Sequence, residues 1–113
     1  MSEEELEESP CDVEGVKRIL KEHGKVLVLV TSQDCALCEY MKGIVEKVEE
    51  EYGDKFGTLE IPADETCKNL IEDLDVHSSP TAILFNSGEE KGRMIPSADA
   101  EQDYKKLKEL VEK

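Results

Sequence analysis

Lys25-Val26-Leu27-Val28-Leu29-Val30-Thr31, three further residues, and then Cys35-Ala36-Leu37-Cys38 form the stretch on which the fold turns. The first seven residues are almost all β-branched or leucine and show no polar alternation, as a central strand covered on both faces requires. After Cys35 the apolar residues take up helical spacing. Met41, Ile44, Val45, Val48 and Tyr52 share one stripe, and Gly53-Asp54 closes the helix. Residues three apart at a helix start lie on one face, so the two sulfurs can reach bonding distance. The first sulfur is exposed at the helix N-terminus, where unpaired N–H groups and the helix dipole favour a thiolate. The second is covered by the first turn and is able to resolve a mixed disulfide. A lone C-x-x-C says little, but at a strand-to-helix junction within a β-α-β pattern it points to dithiol chemistry.

Upstream, Ser9-Pro10 reads as an N-cap with proline at the first helical position and Asp12 in the first turn. Val13, Val16 and Leu20 follow at helical spacing, and Gly24 ends that helix. Downstream, Phe56 to Ile61 is a second strand stopped by Pro62. Asp64 or Thr66 caps a short helix carrying Cys67, Leu70, Ile71 and Leu74. Thr81 to Phe85 is a third strand, Asn86-Ser87-Gly88 a turn, and Glu89 to Ile95 a fourth, more polar strand expected near an edge. Ser97 is expected to cap a final helix with Tyr104, Leu107, Leu110 and Val111 facing inward. The order α-β-α-β-α-β-β-α implies a mixed sheet with helices on both faces. Ser79-Pro80-Thr81 stands directly before the third strand, where an ordinary ladder would avoid proline. A cis proline there would turn the chain tightly and present the backbone of Ser79 to a neighbouring site.

The chain has 113 residues, enough for one domain, with no repeat or internal linker. Fourteen basic against 28 acidic residues give a net charge of −14, which disfavours nucleic acid and anionic membrane surfaces as partners. Residues 1–8 contain five Glu and no base. They read as an acidic, solvated leader ahead of a domain over 9–113, with neither the basic nor the apolar region of a signal peptide. The longest apolar run is too short to span a bilayer. A soluble, cytoplasmic protein is expected, and its four cysteines are read as reduced, catalytic or metal-binding thiols rather than a disulfide framework.

The Cys35–Cys38 pair, Ser79-Pro80-Thr81 and the Asn86-Ser87-Gly88 turn together resemble the thioredoxin family, from residue 25 to the C-terminus and with a counterpart for the preceding helix. The resemblance implies a thioredoxin-like α/β fold with a mixed four-stranded sheet flanked by helices. The leader shows no strand pattern, which leaves the family's first edge strand without a counterpart. The resemblance further implies dithiol–disulfide exchange on protein disulfides, with Cys35 as nucleophile and Cys38 as resolving thiol. Pro80, with Ser79 and Thr81, would hold an extended substrate segment. A monomer needing no metal or organic cofactor, fed by a thioredoxin-reductase-like electron donor, goes with this.

Several positions depart from the family pattern. Asp34 replaces the usual aromatic before the first Cys, and Ala36-Leu37 replaces Gly-Pro. Leu29 stands at the position of the buried acid, Glu60 at that of its lysine, and Pro96 at that of a loop glycine. Asp34 opposes a thiolate on Cys35, although its side chain is also a candidate helix cap. Glu60, if it lies nearby, acts in the same direction. Strong oxidants owe their potential to a stabilised thiolate, so this site is expected to be a slow, relatively reducing dithiol. A thioredoxin-fold binding or adaptor module with marginal turnover is the alternative, and a glutaredoxin-like enzyme lacks its usual Pro-Tyr between the cysteines.

The remaining residues have plainer readings. Cys67 belongs to an apolar stripe and Cys11 is an incidental thiol near the terminus. Only these two could complete a zinc site with Cys35 and Cys38. His77, three residues before Pro80, is either a proton shuttle at the site or a surface histidine, and His23 complements a helix C-terminus. Tyr40, close behind Cys38, reads as helix surface, with a place in the lining of the site as the other reading.

Overall fold

The computed structural model describes residues 11–113. The expected cap at Ser9-Pro10 and the acidic leader lie outside the described residues. Helix α1 spans Val13–Glu22, and its cap is Asp12, whose carboxylate accepts the Gly15 N–H at 3.2 Å. The helix ends at Glu22, two residues before the expected glycine, with His23 as its C-cap. Strand β1 (Lys25–Thr31) runs into α2 (Ala36–Tyr52), and a 3₁₀ turn then leads to β2 (Gly57–Pro62). A further 3₁₀ turn (Glu65–Cys67), α3 (Lys68–Asp73), β3 (Thr81–Asn86), β4 (Glu89–Met94) and α4 (Ala100–Val111) complete the chain.

The sheet order is β2-β1-β3-β4. β1 is parallel to β2 and antiparallel to β3, and β3 is antiparallel to β4. The nearly unbroken apolar run of β1 therefore sits at the centre, and the polar β4 forms an edge, as its composition requires. Side chains alternate across the sheet. Val26, Val28, Val30, Ile83 and Phe85 join α1 and α3 in one core, while Leu27, Leu29, Ala82 and Leu84 join α2 and α4 in the other. This is the mixed four-stranded α/β sandwich expected from the sequence. Among the described residues no strand precedes α1, and no helix is long and apolar enough to cross a membrane.

The central register fixes the site. Thr31, the last residue of β1, pairs with Pro62 of β2, and its carbonyl accepts the Ala63 N–H at 2.6 Å. The loop after β2 is thereby pinned beside the loop that carries the cysteines.

Candidate active site

Cys35 is the N-cap of α2. Its backbone is extended, and its sulfur accepts the N–H of Cys38 at 3.0 Å. Asp34, the other candidate cap, does not fill that position. It adopts φ +52°, a left-handed conformation that aspartate tolerates better than most residues, and it is exposed. Cys35 and Cys38 are joined as a disulfide with Cα atoms 5.2 Å apart. Cys35 is half-buried and Cys38 is 1 % exposed, so the pair presents one sulfur to solvent and keeps the other under the first turn.

The peptide between Ser79 and Pro80 is cis. Pro80 and Thr81 are buried, Ser79 is half-buried, and the Thr81 hydroxyl donates to the Ser78 carbonyl at 2.7 Å. The Ser79 hydroxyl lies 2.9 Å from that of Ser32, three residues ahead of Cys35. A side-chain hydrogen bond therefore ties the proline loop to the cysteine loop.

A cleft lies beside Cys35, lined by Asp34, Ala36, Glu39, Lys42, Glu60 and Asp64 among others. Glu60 lines the same cleft as Cys35, and its carboxylate is already engaged. Its carboxylate accepts the Thr31 hydroxyl at 2.9 Å and pairs with Lys42 at 3.3 Å. Lys42 also approaches Glu39 at 3.6 Å. The hydrogen bond to Glu60 and the charge of that carboxylate raise the Lys42 pKa, which keeps a fixed cation in the cleft. Leu29 is buried in the core under α2, so β1 offers Cys38 no internal proton acceptor. His77 does not join the cleft. It sits in an exposed loop with its ring nitrogen 2.8 Å from the Asp75 carboxylate.

Two features escaped the sequence reading. The first is Asp103, which is fully buried on α4. Its carboxylate accepts the Tyr40 hydroxyl at 2.6 Å, the Ser97 N–H at 3.0 Å and the Ser97 hydroxyl at 2.8 Å. Burial works against its charge, but hydrogen bonds from Tyr40, Ser97 and the Ala98 backbone outweigh it and hold the carboxyl below its usual range. Burial, and then the bond to Asp103, push the Tyr40 phenol up to about 12. Ser97 thus serves Asp103, and Asp99 caps α4 in its place, accepting the Gln102 N–H at 3.2 Å. The only sequence signal was Tyr40, two residues after Cys38.

The second feature is sulfur. Cys11 and Cys67 are joined, with Cα atoms 4.8 Å apart and 56 residues between them in sequence. All four cysteines are paired two and two, which corrects the reading of free thiols and separates Cys11 and Cys67 from the Cys35–Cys38 site. Cysteine usage therefore lends no support to a cytoplasmic setting.

Comparison with known proteins agrees with this geometry. The thioredoxin family model matches residues 13–113. Thioredoxin M4 of Arabidopsis thaliana chloroplasts is 27% identical over 100 residues, which cover 88% of this chain and 51% of that protein, so the chain spans about half the length of that relative. The thioredoxin of Rickettsia typhi is 30% identical over 84 residues, covering 74% of this chain and 79% of that one. In fold, the oxidised mitochondrial thioredoxin 3 of Saccharomyces cerevisiae superposes with a TM-score of 0.72 at 19% identity, over 88% of this chain and 92% of that one. The chain belongs to the thioredoxin family, and at the level of that family its chemistry is thiol–disulfide oxidoreduction.

Proposed function

We infer that the protein reduces disulfides in other proteins. The reading rests chiefly on the asymmetry of the pair, a half-buried Cys35 at a helix N-terminus over a buried Cys38. In the reduced protein the Cys35 thiolate is stabilised by the α2 N-terminus, including the Cys38 N–H that its sulfur already accepts. It attacks one sulfur of the substrate disulfide, forming a mixed disulfide and expelling the other substrate thiolate. Cys38 then attacks Cys35. The Cys35–Cys38 bond forms, the mixed disulfide breaks, and the second substrate thiolate leaves. Two electrons pass to the substrate and must be restored by a dithiol donor of the thioredoxin-reductase kind.

Leu37, between the cysteines, is 45 % exposed, and Ile95, just after β4, is 58 % exposed. They are the large exposed apolar residues of the described chain, and they offer contact area to a substrate segment laid along Ser79-Pro80-Thr81. The test is insulin reduction with dithiothreitol as electron donor. The native chain should accelerate precipitation of the insulin B chain and Cys35→Ser should not. Equal rates for the two would leave a binding module of thioredoxin fold as the better account.

A further inference from the structure

The Cys11–Cys67 disulfide takes no part in the exchange described above, and three observations bear on what it does. Cys67 is 0 % exposed and belongs to the apolar core formed by α1, α3 and one face of the sheet. Cys11 is only half-buried and precedes the Asp12 cap of α1. On the other side, the Cys67 N–H donates to both the backbone carbonyl of Asp64 (3.1 Å) and its carboxylate (3.3 Å), while Asp64 and Ala63 line the cleft beside Cys35. The bond therefore runs from the start of α1 to the loop that walls the reactive cysteine.

We propose that Cys11–Cys67 is a second disulfide site, a reduction-resistant clasp that stays closed while Cys35–Cys38 turns over. The resistance follows from which sulfur a reductant can reach. Cys11 packs against the same core but is only partly buried, whereas Cys67 has no exposed surface, so an incoming thiolate is directed to the Cys11 sulfur. Attack there forms a bond from the reductant to Cys11, breaks the Cys11–Cys67 bond and leaves the electron pair on Cys67. That thiolate would emerge among valine, leucine and isoleucine side chains, where an uncompensated charge is held at high cost. A poor leaving group slows the exchange, and the reverse attack by Cys67, held in place by the fold, is fast. A dithiol reductant completes the reduction only if its second thiolate displaces Cys11 before Cys67 returns. At Cys35–Cys38 attack on the half-buried Cys35 expels Cys38, but that sulfur lies in the first turn of α2, beside the helix N-terminus and outside both apolar clusters that line the sheet. The second displacement then releases Cys35, the sulfur that α2 stabilises. The clasp also fixes the Ala63–Cys67 loop, so the cleft wall keeps its shape through the catalytic cycle.

The experiment is a timed reduction of the folded protein with dithiothreitol, quenched with a maleimide and read by peptide mass at each cysteine. Cys35 and Cys38 should be labelled at least about a hundredfold sooner than Cys11 and Cys67, and urea should abolish the difference. In Cys67→Ser, Cys11 should be labelled in the folded protein without any reductant, which shows that its sulfur is reachable. Labelling of Cys11 and Cys67 at the rate of Cys35, or before any reductant is added, would overturn the clasp. If Cys35 and Cys38 resist as well, the reductant reading of the active site fails while the clasp stands.

Discussion

The two cysteine pairs occupy opposite settings within one small fold. Cys35 and Cys38 are three residues apart at the first turn of α2, and the helix itself supplies the donors that a thiolate needs. Cys11 and Cys67 are 56 residues apart, and one of them is sunk in the core between α1, α3 and the sheet. Bond type is the same, so environment separates them. A disulfide cycles when both of its sulfurs leave beside a helix N-terminus, and it persists when the sulfur that must leave is enclosed by apolar side chains. The largest expected contrast is therefore in turnover. Cys35→Ser should lower insulin reduction by at least about a hundredfold, as loss of a nucleophile does, whereas the Cys11→Ser/Cys67→Ser double variant should stay within about threefold of native. Comparable losses in both would break the comparison.

Stability should show the reverse order. Closing a long loop removes more freedom from the unfolded chain than closing a short one, so the Cys11–Cys67 bond should contribute about 4 kcal/mol and Cys35–Cys38 about 2 kcal/mol on the chain-entropy account. Urea unfolding of the double variant, beside native protein in which only Cys35–Cys38 has been reduced, measures the two. A smaller loss in the double variant would mean that the native clasp holds strain or that the unfolded chain is already compact.

The same contrast explains what could be read from the sequence. The Cys35–Cys38 site was legible because its signals are local: an unpolar strand, a three-residue spacing and a helical stripe. Pro80 was legible because proline has few reasons to precede a buried strand. The strand order followed from connection rules acting on those elements. Cys11 with Cys67 was illegible, since no local pattern says that the start of α1 lies over the loop after β2. Asp103 was illegible for a related reason. An acid in the first turn of a helix reads as a solvated residue complementing the dipole, and only the packing of α4 against α2 turns it inward toward Tyr40. Ser97 was misread as a cap because the sequence does not reveal that Asp103 claims its N–H and hydroxyl.

Asp103 is the counterpart of the clasp on the other face of the sheet, fastening the loop after β4 with hydrogen bonds in place of sulfur. Asp103→Ala strands the Tyr40 and Ser97 donors and should cost about 3 kcal/mol, while Tyr40→Phe should cost about 1 kcal/mol. The sign with pH is fixed by the directions of the shifts. Asp103 titrates below its unfolded value, so its contribution is complete above that value, about pH 4, and is lost as pH falls through the folded one. Tyr40 titrates above its unfolded value, so its contribution is complete below about pH 10 and is lost as pH rises toward 12. Unfolding free energy measured from pH 3 to 7 should therefore rise less steeply in Asp103→Asn than in native protein. An unchanged slope would place the acid sensitivity in other carboxylates.

The smallest effects should come from the charges around Cys35, and their signs are more informative than their sizes. The family's lysine position is Glu60 here, yet a cation still reaches the cleft, because Lys42 extends from α2 to pair with it. Asp34 has no such partner among the ion pairs of the described residues and stands next to Cys35. Asp34→Asn, which keeps a residue suited to the left-handed backbone, should increase the thiolate fraction of Cys35 and speed its alkylation at pH 7 by about threefold. Glu60→Gln frees the Lys42 charge and should act in the same direction but less. Lys42→Gln leaves Glu39 and Glu60 uncompensated and should slow alkylation by a similar factor. A stabilised thiolate favours the reduced protein, so the first two variants should become more oxidising and the third more reducing, in a glutathione redox titration that follows Cys35–Cys38 alone. Identical rates and potentials in all three would show that solvent screens these charges, and a potential at the reducing end, if measured, would then have to be traced to Leu29, which offers no acceptor for the proton of Cys38.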